Sequence, residues 1–130
     1  MRVLLAEGQA KVRWALHFFL KEQPGLDLVA EISEADALLN QIKTTHPDVV
    51  LLDWEMLGYM PTEWLATLRR AGRPLRVIML GRHPDMRGAA LAAGADGFVC
   101  KGDPPHVLLA ALRSVKSTGN NKGLASPTIA

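Results

Sequence analysis

Five short apolar runs, each stopping at a polar or glycine position, alternate along the chain with stretches whose apolar residues recur every three or four positions. The clearest run is Asp48-Val49-Val50-Leu51-Leu52-Asp53, four branched aliphatics bounded by Pro47 in front and by Gly58 and Pro61 behind. It predicts a strand buried on both faces of a parallel sheet. Arg2 to Ala6 predicts a first strand, Leu26 to Glu31 a second at a sheet edge, Arg76 to Leu80 a fourth and Gly97 to Cys100 a fifth.

The intervening stretches carry the helical period. Gln9 to Gln23 sets Val12, Ala15, Leu16, Phe19 and Leu20 on one face and ends at Pro24-Gly25. Trp14 and Phe18 lie on its opposite face, one turn apart, either as two aromatics resting flat on the surface or as a partner-docking spot. Glu34 to Thr44 predicts a second helix, with Ser33 placed to cap its start and His46-Pro47 to close it. Thr62 to Ala71 uses Leu65 and Leu68 for the core and Gly72 as its stop. Asp85 to Ala93 is Ala-rich but holds Gly88, which costs on the order of 1 kcal/mol relative to Ala. Pro105 opens a last helix that runs to about Lys116. Beyond it, residues 117–130 lose all periodicity and predict a linker or tail.

Strand and helix patterns that alternate in this way predict an α/β fold, a doubly wound five-stranded parallel sheet with right-handed crossovers. In the order 2-1-3-4-5 the first and third strands are neighbours at the switch point, where ligands collect beyond the carboxyl ends of the strands. Glu7, Asp53, Gly81 and Lys101 each fall just past such an end. Glu7 and Asp53 then share one crevice, with Lys101 reaching in from the far side.

Composition narrows the function. The apolar share of 48% in 130 residues suits one core and one domain. Fifteen basic against thirteen acidic residues, with no Lys/Arg run, give +2 and argue against direct nucleic-acid contact by this segment. The single Cys100 excludes an intrachain disulfide and a cysteine-based zinc cluster, in keeping with a reducing cytoplasm. The amino-terminal apolar run is too short for a signal peptide, and no run approaches the ~20 residues of a membrane helix. A soluble, cytoplasmic chain without membrane association is expected.

Several motifs together resemble the receiver domain of a bacterial two-component response regulator, of the type fused to a LuxR/NarL-like helix-turn-helix domain. They are Arg2-Val3-Leu4-Leu5, Pro47 to Asp53, Met56-x-Gly58 and Gly94-Ala95-Asp96-Gly97-Phe98-x-x-Lys101. The resemblance runs from Arg2 to about Lys116. It implies a flavodoxin-like or CheY-like receiver over residues 1–116, with 117–130 leading towards an output domain absent from this chain. Gly123-Leu124-Ala125-Ser126-Pro127 is similar to that subfamily's linker.

The resemblance further implies that Asp53 accepts a phosphoryl group from a sensor histidine kinase. Mg²⁺ would be held by acids after the first strand, here Glu7, by Asp53, and by the main-chain carbonyl of Glu55. Lys101 would pair with the phosphoryl oxygens. A hydroxyl residue after the fourth strand would report on the phosphoryl group, and an aromatic on the fifth, here Phe98, would respond. A two-fold homodimer is the expectation for a regulator of palindromic DNA.

Two positions depart from this pattern. Gly8 stands where the second acid is expected, and Gly81 stands where the hydroxyl residue is expected. Magnesium demands near-ideal octahedral geometry and gives up water reluctantly, so Glu7 alone is a poor substitute for an acid pair. An atypical receiver is therefore expected, not an enzyme, binding Mg²⁺ weakly or not at all. Glu55 could add negative charge over the pocket, Arg82 could contact an anion, and Asp53 with Lys101 could be a plain ion pair that closes it.

The alternative within the family is an ordinary phosphorylation-dependent receiver in which Glu7 suffices. From other classes, Asp53-Trp54-Glu55 is similar to the Asp-x-Asp of haloacid dehalogenase-type phosphatases, whose nucleophile instead ends the first strand. A flavodoxin-like nucleotide binder would want a phosphate-cradling loop, which Glu7-Gly8-Gln9-Ala10 does not provide.

Overall fold

A computed structural model describes residues 1–71 and 74–116. The elements are β1 (Arg2–Ala6), α1 (Ala10–Lys21), β2 (Asp27–Ile32), α2 (Leu38–Thr45), β3 (Val49–Asp53), α3 (Pro61–Arg69), β4 (Arg76–Gly81), α4 (Arg87–Ala92) and β5 (Gly97–Cys100). A final helix, α5, covers residues 105–116. The strands pair in parallel in the order β2-β1-β3-β4-β5, as the alternation of patterns predicts.

Every residue of β3 is buried, because the sheet has a core on each side. Val50 and Leu52 pack with Leu38, Leu65 and Leu68 on one face, and Val49 and Leu51 with Leu20, Leu108 and Leu112 on the other. A central strand of this kind has no solvated face, hence its unbroken apolar run.

Two carboxylates pin the amino-terminal edge of the sheet. Asp48 accepts from the Arg2 amide through Oδ2 at 2.7 Å, while its own amide donates to Arg2 O and its carbonyl accepts from the Arg76 amide. Asp96 accepts through Oδ2 from the Val77 amide at 2.8 Å and from Arg69 Nη2 at 2.9 Å. Arg69, at the end of α3, also donates to Leu75 O and Gly94 O.

The boundaries differ from the sequence reading where backbone geometry overrides the apolar period. Ser33 does not cap α2, because Glu34 is extended and Ala35–Ala37 form a separate 3-10 turn before the α-helix starts at Leu38. The helix expected over 85–93 likewise splits into a 3-10 turn, Pro84–Met86, and α4. Helix α3 begins at Pro61, where the missing N–H costs nothing. His46 ends α2 at φ 50°, in the left-handed conformation in which helices commonly stop. Gly72, expected to stop α3, and the linker expected over 117–130 lie outside the described residues.

Truncating a fully buried residue of the central strand should be severe. Leu51→Ala is expected to lower stability by about 2–5 kcal/mol through lost burial and a residual cavity, measured by urea unfolding.

Candidate functional site

Sheet register brings the chemistry-bearing residues together. Ala6 pairs with Leu52, so Glu7 and Asp53 leave β1 and β3 at the same level. Gly81 pairs with Cys100, and the Lys101 amide donates to Gly81 O at 2.7 Å, which starts Lys101 at the same rim two strands away. A lysine side chain spans that gap.

Its ammonium lies between the two acids, with Nζ 2.9 Å from Glu7 Oε2 and 3.1 Å from Asp53 Oδ1. It also donates to Gln9 Oε1 at 3.3 Å. The three charged side chains are 0, 4 and 7% exposed for Glu7, Asp53 and Lys101. The pairing therefore sits away from water, where the attraction is strong and an unpaired charge is costly.

Backbone amides complete the shell around Asp53. Gly8 N donates to Oδ2 at 3.2 Å and Glu55 N to Oδ1 at 3.1 Å. The second bond also caps the 3-10 turn Trp54–Leu57, so the acid holds its own loop in place. Gln9 N donates to Glu7 Oε2 at 2.9 Å, whereas Glu7 Oε1 is buried without a hydrogen-bond partner. Burial pushes the Glu7 carboxyl above its ordinary value, with the charge of Asp53 adding to the rise; the hydrogen bonds from Gln9 and Lys101 oppose it.

The Glu55 side chain turns to the mouth of the cleft and pairs through Oε1 with Arg82 Nε at 2.9 Å, both about half exposed. Of the responding positions, Gly81 ends β4 and Phe98 is buried on β5. Trp14 and Phe18 stand on the outer face of α1, 65 and 60% exposed, in edge-to-face contact at 6.3 Å. Sequence reasoning missed Gln9, whose amide and side chain both enter the cluster, and Arg13, whose Nη1 donates to Glu7 O. Position was the available signal for both, since they open the helix that follows the Glu7 loop.

The resemblance implies Mg²⁺, so the donor set can be held against that ion. Among the described residues no three His, Cys, Asp or Glu side chains cluster as metal ligands. Glu7 and Asp53 already share an ammonium, and Asp53 Oδ2 accepts from the Gly8 amide. Glu7, Asp53 and the Glu55 main-chain carbonyl are the oxygen donors that would hold the ion, one acid fewer than the resemblance implies, and Glu7 Oε1 has no hydrogen-bond partner.

The chain belongs to the response regulator receiver domain family, whose match covers residues 3–113. It is 30% identical over 119 residues to the response regulator UvrY of Escherichia coli, covering 90% of this chain and 55% of that protein. It is 34% identical over 119 residues to the phosphate regulon transcriptional regulatory protein PhoB of the same organism, covering 88% of this chain and 51% of that protein. The chain thus spans about half the length of the curated relatives it matches. Among solved structures, the signal receiver domain of NarL from Mycobacterium tuberculosis superposes with a TM-score of 0.71 at 30% identity, covering 85% of this chain and 94% of that one. A LuxR-family response regulator from Aurantimonas gives 0.79 at 25% identity, covering 90 and 85%. The fold and the two-component class expected from the motifs are those found. No helix among the described residues is long and apolar enough to cross a membrane.

Two outcomes follow from the cluster. Lys101→Met leaves two buried carboxylates without a cation and is expected to cost about 3–5 kcal/mol at neutral pH, read from denaturant unfolding. Because the folded-state pKa of Glu7 is raised, its contribution is fully present below the ordinary value of 4.5 and is lost as pH rises through the folded value. Glu7→Gln should flatten that fall when thermal unfolding is followed from acid to neutral pH.

Proposed function

We propose that residues 1–116 are the receiver domain of a two-component transcriptional regulator, with Asp53 as phosphoacceptor, working with weakened metal and switch chemistry. The observation that carries this reading is the Lys101 ammonium seated between Glu7 and Asp53, with a glycine amide where a second acid is expected. In the transfer, an Asp53 oxygen attacks phosphorus while the bond to the kinase histidine's nitrogen breaks, giving an acyl phosphate and releasing the imidazole. Lys101 and the amides of Gly8 and Glu55 converge on the Asp53 carboxylate, so these donors stand beside the place that the phosphoryl oxygens would occupy once the acyl phosphate forms.

Gly81 offers no hydroxyl to the product, and the Glu55 side chain is engaged with Arg82 and not with the acid cluster. The reaction is accordingly slow and weakly dependent on Mg²⁺. Residues 117–130 are read as the linker to a helix-turn-helix output domain, in a cytoplasmic protein that pairs as a two-fold dimer. This segment itself makes no direct contact with nucleic acid. The exposed Trp14 and Phe18 are read as a partner-docking spot.

Incubation with a small phosphodonor, followed by intact-mass measurement, is expected to label the chain slowly, with little gain from Mg²⁺ and none in Asp53→Asn. Gly8→Asp supplies the lost acid in a place that accepts it, since a Cβ there meets Asp53 Oδ2 at 3.4 Å and Ser33 O at 3.8 Å. That variant should bind Mg²⁺ more tightly than wild type when titrated by intrinsic tryptophan fluorescence. Rapid stoichiometric labelling of wild type, with tight Mg²⁺ binding lost in Glu7→Ala, would favour the ordinary regulator, which the partnerless Glu7 Oε1 supports.

A further inference from the structure

The Phe98 ring fills the volume that any side chain at position 81 needs. A Cβ added to Gly81 falls 2.7 Å from Phe98 Cε1, 2.8 Å from Cζ and 3.0 Å from Met86 Sδ. Carbon atoms in contact prefer about 3.5–4.0 Å, so the overlap is severe. The backbone does not ask for glycine here. Gly25, Gly58 and Gly94 have positive φ, and Gly81 does not. What this position requires is space.

The strands hold the two backbones, so the ring is what has to give way. Gly81 pairs with Cys100 and Met79 with Phe98 in the β4–β5 ladder, which fixes the two positions on adjacent strands. The ring is 3% exposed within the core cluster, with Met86 packed against that cluster. From α4, Arg87 sets its guanidinium carbon 5.5 Å from the ring centroid and donates through Nη2 to Phe98 O at 3.3 Å. The ring, the strand and the helix are thereby joined.

We propose that Gly81 is a socket for the Phe98 ring, which holds the ring and, through Arg87, the α4–β5 face in one arrangement whatever the charge on Asp53. This goes beyond the functional reading above and needs no phosphorylation. The ring is placed by shape, so in this proposal the β5 aromatic is not a responder to that cluster. Putting a side chain back at position 81 evicts the ring and restores no switch.

The test combines two measurements on the full chain. In a thermal double-mutant cycle, Gly81→Ala is expected to lower Tm by roughly 5 °C or more beside Phe98. It should lower Tm by less than half as much in a Phe98→Leu background, where the smaller side chain leaves room. Equal losses in both backgrounds would overturn the socket, and the Phe98→Leu pair keeps the comparison readable if Gly81→Ala alone does not fold. By NMR, contacts between the Phe98 ring and the Met86 side chain, which both come within 3.0 Å of one point beside Gly81, should persist in Asp53→Asn and disappear in Gly81→Ala. Loss of those contacts in Asp53→Asn would overturn the independence from Asp53. That variant neutralises the acid whether or not it ever carries a phosphoryl group, so failed labelling of wild type leaves this test intact.

Discussion

A lysine ammonium shared by two buried carboxylates is the interaction around which the working end of this domain is arranged. Burying Glu7 and Asp53 side by side would be prohibitive without it, since each charge loses its water and faces a like neighbour. Lys101 relieves both at once. It can do so because parallel register ends β1, β3 and β5 at one rim, and because Cys100 is tied to Gly81 in the ladder. The fold therefore supplies the geometry, and three side chains separated by up to 94 positions in sequence supply the charge balance.

Much of this was legible in the chain itself, for reasons that differ by residue. The β3 run could only be a two-sided strand, and the alternation of periods left little freedom in topology, so Glu7, Asp53 and Lys101 could be placed at one edge before any coordinates. What sequence could not show was how each group would be spent. Glu55 turns its side chain outward to Arg82 and lends Asp53 only its amide. Gln9, an unremarked polar residue at a helix start, joins the cluster twice. Gly8 and Gly81 were readable as missing functional groups, but an absent side chain says nothing of what moves into its place. An amide donor fills the first role and an aromatic ring the second. Helix starts were the least legible feature, because the period of apolar residues continues through a 3-10 turn as readily as through an α-helical one.

The opposite edge of the sheet shows a different use of the same residue types. Asp48 and Asp96 are carboxylates too, yet their oxygens go to backbone amides and to Arg69. Each bridges neighbouring strands, and among the described residues no lysine pairs with either. With the strand beginnings riveted by these bonds, the strand ends are the part of the framework left open to variation. Loops there can differ in their side chains without loosening the scaffold, so one framework can carry more than one set of groups at its rim.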